Sequence, residues 1–66
     1  MENIQTFLQY HAFEGGKLST EYARELLLEA IDCGLLIDAQ SIDEIDVDRE
    51  TKAANKRAAQ AIQSNN

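Results

Sequence analysis

The side chains able to carry chemistry are few: His11, Cys33, Tyr10, Tyr22 and a scatter of carboxylates. A cysteine–histidine pair performs nucleophilic catalysis when the imidazole takes the thiol proton and a third group orients the imidazole. Here both residues fall on apolar helix faces, and neither an orienting group nor an oxyanion-stabilising device is signalled. A chain of 66 residues also leaves little room for a water-excluding pocket. The expectation is a protein that is not an enzyme and carries no cofactor. His11 reads as a half-buried histidine bonded to a carbonyl, and Cys33 as a small buried hydrophobe at a helix end. A single cysteine excludes an intramolecular disulfide.

Two further patterns resemble binding motifs and fail on their later positions. Asp46-Val47-Asp48-Arg49-Glu50 supplies carboxylates at the first, third and fifth places of a calcium loop, but Thr51 and Arg57 stand where the glycine and the bidentate glutamate belong. No metal is therefore expected. Gly15-Gly16 follows no strand and precedes no Gly-Lys-Ser/Thr, which excludes a phosphate loop. Ala30 and Gly34 have the small-residue and turn-glycine spacing of a helix-turn-helix. The second helix of that motif would run from about Leu36 to Ile45 and carry Asp38, Asp43 and Glu44 with no Lys or Arg, and Gln40 replaces an apolar position. Phosphate repulsion sets such a helix against DNA.

The charge balance points the same way. Twelve acids oppose six bases, for a net charge of −6 and a pI near 4.5. Direct nucleic-acid binding calls for clustered cations and is not expected. From Asp38 to Glu50 the acids Asp38, Asp43, Glu44, Asp46, Asp48 and Glu50 face Arg49 alone. That density suits either a solvated polar face or a surface that meets a basic partner. No apolar stretch approaches the roughly 20 residues that span a bilayer, and the N-terminus lacks a signal-peptide pattern, so a cytoplasmic chain without membrane contact is expected.

The elements that position these residues are read from periodicity. Ile4, Phe7, Leu8 and Ala12 follow the spacing of one helical face, with Glu2 or Asn3 at the start and Glu14-Gly15-Gly16 at the end, while Phe13 falls outside the stripe. Ser19 is the N-cap of a second helix, Leu18 its preceding staple residue and Gly34 its stop. Tyr22, Ala23, Leu26, Leu27, Ala30, Ile31 and Cys33 make its broad apolar face; Glu21, Arg24, Glu25, Glu29 and Asp32 occupy the rest. Leu28 points nearly opposite that face, and Leu35 lies on its side two turns on. Leu35-Leu36-Ile37 reads as a connection, and Ser41-Ile42-Asp43-Glu44 matches a capping box for a short turn. A third, alanine-rich helix from Asp48 to Gln63 bears a stripe of mostly small side chains, Val47, Thr51, Ala54, Ala58, Ala61 and Ile62. Such a stripe permits close approach but buries little area.

The fold expected is all-α: three helices near Asn3–Ala12, Ser19–Cys33 and Asp48–Gln63, the first two an antiparallel hairpin. Residues 1–63 form one small domain and 64–66 a frayed polar tail. The predicted core is Ile4, Phe7, Leu8, Tyr22, Leu26, Leu27, Ile31, Leu36, Ile42 and Ile45. So small a core predicts a homodimer or a fold stabilised by a partner. The function expected is a small acidic protein–protein interaction module, a regulator or adaptor acting through helix surfaces. The alternative is an acidic inhibitor that mimics nucleic acid on a basic site of a DNA- or RNA-binding protein. A compact reading frame of this kind suits a phage, plasmid or bacterial accessory gene. The candidate partner contacts are Leu28, Leu35, Asp43, Glu44, Asp46 and Asp48.

Overall fold

A computed structural model describes the backbone of residues 1–64 and the side chains of residues 1–62. It contains α1 (Ile4–Gly15), α2 (Thr20–Asp32), a 3-10 turn (Ile42–Glu44) and α3 (Val47–Ser64), and no strand among the described residues. The chain is a small all-α domain of three helices. Of the polar tail expected at 64–66, residues 65 and 66 lie outside the described residues. No helix of the described chain is long and apolar enough to cross a membrane.

Local chemistry sets most helix ends. Asn3 Oδ1 accepts from the Thr6 N–H at 2.7 Å, and Ser19 Oγ accepts from the Tyr22 N–H at 3.1 Å. Each bond satisfies one of the donors that a helix start leaves open. Asp46, immediately before α3, accepts from the Arg49 N–H through Oδ1 at 3.3 Å. α1 runs three residues beyond the expected Ala12 and stops where Gly16 adopts φ 88°. α2 stops at Cys33, and Gly34 turns the chain at φ 68°. Both glycines hold left-handed conformations that a side chain would strain. The Ser41 turn stays one turn long: Ser41 Oγ accepts from the Asp43 N–H, and Glu44 Oε2 accepts from the Gln40 N–H at 3.0 Å. The segment that a helix-turn-helix would need as its reading helix is therefore connection plus this turn.

Packing departs from a hairpin. α1 packs chiefly on α3, and α2 makes smaller contacts with α3 and with the 3-10 turn. The small-residue stripe explains the choice. Thr51, Ala54 and Ala58 are buried, so α1 and α3 can approach closely. The docking surface that α3 needs thus comes from this chain's own first helix. The stripe is covered only in part, because Ala61 and Ile62 remain exposed. Thr51 is 1% exposed, and its hydroxyl has no hydrogen-bond partner among the described residues.

Tertiary hydrogen bonds lock this arrangement. Asn55 spans α3 and the α1–α2 connection: its Oδ1 accepts from the Leu18 N–H and its Nδ2 donates to the Leu18 carbonyl, both at 2.8 Å. Gln5 Nε2 donates to the Glu50 carbonyl at 2.9 Å and to Glu50 Oε1 at 2.7 Å, tying α1 to α3. The Leu35–Ile37 connection finds a partner in residue 2: the Glu2 N–H donates to the Leu35 carbonyl at 2.8 Å and the Ile37 N–H to the Glu2 carbonyl at 2.9 Å. Beside this single parallel bridge, Asp38 accepts from the Ile4 N–H through Oδ1 at 3.0 Å and Oδ2 at 3.3 Å. A carboxylate from a distant loop thereby caps the positive end of α1.

The core corrects the expectation at several positions. Ile4, Phe7, Leu8, Leu27, Leu36 and Ile45 are buried as read from the sequence, and Leu26, Ile31 and Ile42 are half-buried against them. Tyr22 is 51% exposed. The buried arc of α2 centres on Ala23, Leu27 and Ala30, and Tyr22 stands ~100° away from that centre. Cys33 is exposed rather than buried. It follows the last helical residue and lies ~90° from the same centre. Leu18, Ala39 and several alanines fill the space left to the larger side chains.

Candidate functional site

Leu28 stands on the outer side of α2, 43% exposed. Glu21, Arg24, Glu25 and Asp32 lie within ~60° of it around the helix, and Glu29 lies ~100° away. No ion pair holds any of these acids among the described residues. A helix with Ser19 at its cap and Ala23, Leu27 and Ala30 locked inward has no freedom to turn this face away from water. The result is one apolar side chain framed by unpaired carboxylates.

Leu35 does not extend that surface by helical register. The helix has ended, Gly34 has reversed the backbone, and the Leu35 N–H donates to the Ala30 carbonyl at 2.9 Å. Its side chain is half-buried against the core. The exposed apolar residue of this connection is Ile37, at 61%.

The four candidate acids separate by role. Glu44 is spent on the Gln40 N–H and Asp46 on the Arg49 N–H. Asp48 pairs with Lys52 Nζ at 3.0 Å and accepts from Thr20 Oγ1 at 3.2 Å, linking α3 to the start of α2. Asp43 alone keeps its carboxylate free. The Lys52 hydrogen bond, followed by its charge, holds the Asp48 carboxyl below the usual carboxylate value of 3.8, against a small opposing effect of burial. A depressed folded value stabilises the fold above the unfolded value and loses that contribution as pH falls through the folded value. Asp48→Asn is therefore expected to cost a little stability near pH 7 and none below the folded value, which slightly flattens the acid limb below about pH 4; the change is small because the pair is solvent-exposed. Urea unfolding at stepped pH reads this directly.

The residues singled out for chemistry are only partly assembled. His11 and Tyr22 line one cavity of about 320 Å³ beside Glu14 and Lys17, at the α1–α2 connection. Cys33 is not part of its lining. The carbonyl bond expected for His11 is not formed among the described residues. Its ring instead meets Phe7 edge-on at 4.8 Å and Tyr10 at 5.6 Å. Among the described residues no group of three or more His, Cys, Asp or Glu is placed to hold a metal ion.

A second cavity, of about 330 Å³, opens where α1 ends against α3. Ala12, Ala58, Ala59 and Ile62 give it an apolar lining, and Lys17 and Lys56 join them. Periodicity alone did not disclose it, because it is made by α1 stopping at Gly15 while α3 continues to Ser64. The uncovered end of the small-residue stripe was its only trace in the sequence. Comparison with protein-family models, with curated proteins and with solved structures finds no match, so the surfaces above are what a functional reading has to rest on.

Proposed function

We propose that this chain is a small acidic, non-enzymatic protein–protein interaction module, a regulator or adaptor that meets its partner through the outer face of α2. The observation that carries this reading is Leu28, an apolar side chain left 43% exposed on the outer side of α2. Exposed leucines are common singly. This one is framed by Glu21, Glu25 and Asp32, with Arg24 beside them, and none of the three acids is in an ion pair among the described residues. An apolar centre with a charged rim is the anatomy of a protein contact.

The alternative, an acidic mimic of nucleic acid on a basic site, draws support from the four α2 carboxylates Glu21, Glu25, Glu29 and Asp32. It draws less from the connection, where Glu44, Asp46 and Asp48 are engaged in the protein's own capping and pairing. Salt and mutation separate the two readings. With a partner captured from the native host and identified, Leu28→Glu is expected to weaken binding at least tenfold with an unchanged helical circular dichroism spectrum. A contact led by charge would instead tolerate Leu28→Glu and weaken steeply between low and moderate salt. Leu35→Glu, half-buried against the core, would disturb folding and is not a clean probe.

A further inference from the structure

We propose that the groove between the end of α1 and the C-terminal part of α3 receives the Leu28 face of a second copy of this chain, and that two copies close as a reciprocal dimer. The inference deepens the reading of α2 as a contact face and rests on it. Its ground is charge complementarity between two surfaces of the same molecule. The chain carries a net charge of −6, yet the groove is lined by two cations, Lys17 and Lys56. Neither has an ion-pair partner among the described residues. The rest of the lining is mostly apolar, with Ala12, Ala58, Ala59 and Ile62 beside Gly16 and Asn55. What fits is an apolar side chain presented among acids. The outer face of α2 presents Leu28 among three acids, Glu21, Glu25 and Asp32, and one cation, Arg24, and so keeps a net negative charge.

Two alternatives within the same chain fit less well. Pairing groove with groove about a twofold axis would set Lys17 and Lys56 against their own copies, and like charges across an interface are costly. A one-way contact of α2 in a groove would leave a free groove and a free α2 at either end and would grow into chains. A cavity of about 330 Å³ seats little more than one or two large side chains, so a single contact is also small. A stable interface takes about 800 Å² from each partner, near a sixth of the 4541 Å² surface of this chain. Seating α2 in the groove twice over doubles the buried area and closes the assembly.

Exposed charges allow a test that leaves the fold intact. Sedimentation equilibrium of the full chain at micromolar concentration is expected to show a dimer that weakens with salt. One variant, Lys17→Glu with Lys56→Glu, makes the groove acidic; another, Glu25→Lys with Asp32→Lys, makes the α2 face basic. Each alone is expected to sediment as a folded monomer, with helical circular dichroism confirming the fold. Mixed in equal amounts they are expected to restore a heterodimer, since each groove then meets an α2 face of opposite sign. A monomeric or open-ended wild-type chain, variants that still dimerise, or a mixture that stays monomeric would each overturn the proposal. A monomeric chain that still binds an identified partner through Leu28 would overturn the dimer and leave the interaction module standing.

Discussion

Asn55→Ala is expected to lower the unfolding free energy by about 2–4 kcal/mol, because it strips both partners from the Leu18 backbone at once. The two bonds, each 2.8 Å, anchor the α1–α2 connection onto α3. Leu18 itself is buried, so its freed N–H and carbonyl would be poorly placed to find water. A chain of 66 residues has a total stability of about 3–10 kcal/mol. The loss is thus a large part of what holds the fold, at about 4–8 °C of melting temperature per kcal/mol. Asn55→Asp separates the two bonds. It keeps an acceptor for the Leu18 N–H but sets a carboxylate oxygen against the Leu18 carbonyl, so a loss at least as large as that of Asn55→Ala is expected in urea unfolding. A clearly smaller loss in Asn55→Asp would count against the bond to the carbonyl.

Leu8→Ala is expected to be as damaging, at about 2–5 kcal/mol. Leu8 is 0% exposed and lies on α1, the helix that packs most extensively against α3. α3 contributes Ala54 and Ala58 to the same core, and these are already buried and have no rotamers to extend into a void. The cavity would therefore persist and carry its full cost. Thermal unfolding followed by circular dichroism reads the change. A loss below about 1 kcal/mol would mean that the helices close over the gap and that the small-residue contact is looser than the burial indicates.

Both predictions fall on features of unequal visibility in the sequence. Leu8 was legible. With Ile4, Phe7 and Ala12 it repeats at helical spacing, and a side chain at the centre of such a stripe is buried whichever element covers it. Asn55 was not. It sits in a run of alanines and cations and looks like one more polar position on an exposed helix. Its partner, Leu18, lies 37 residues away and is engaged through its backbone, which has the same donor and acceptor at almost every residue. Asp38 shows the same blindness. Counted with the acids of the connection, it proves to cap α1 across 34 residues. Tyr22 and Cys33 show a further limit of periodicity. A helical wheel finds the apolar side of a helix but not the width of the arc that its neighbours cover.

The candidate site divides likewise. Leu28 was visible as the residue opposite the apolar face of its helix, and it is exposed there. That Leu35 would leave this surface depended on Gly34 reversing the chain after the helix had ended. The separation of Asp43 from Glu44, Asp46 and Asp48 depended on which backbone and side-chain donors came within reach. The groove depended on helix lengths relative to one another, which no single segment records.

What the amino-acid sequence determined by itself is local. Helix starts at Asn3 and Ser19, stops at Gly16 and Gly34, the apolar stripes and the acidic balance all follow from neighbours within a turn or two. Caps act over three residues and helical faces over three or four, so their signals are written in consecutive letters. The tertiary structure alone decided that α3 docks on α1, that Asn55, Gln5 and Asp38 hold the parts together, and that an apolar groove opens where α1 stops. Those outcomes join residues 34 to 45 positions apart through backbone groups and small side chains. Every residue offers such groups, and only their meeting in space singles out the ones that matter.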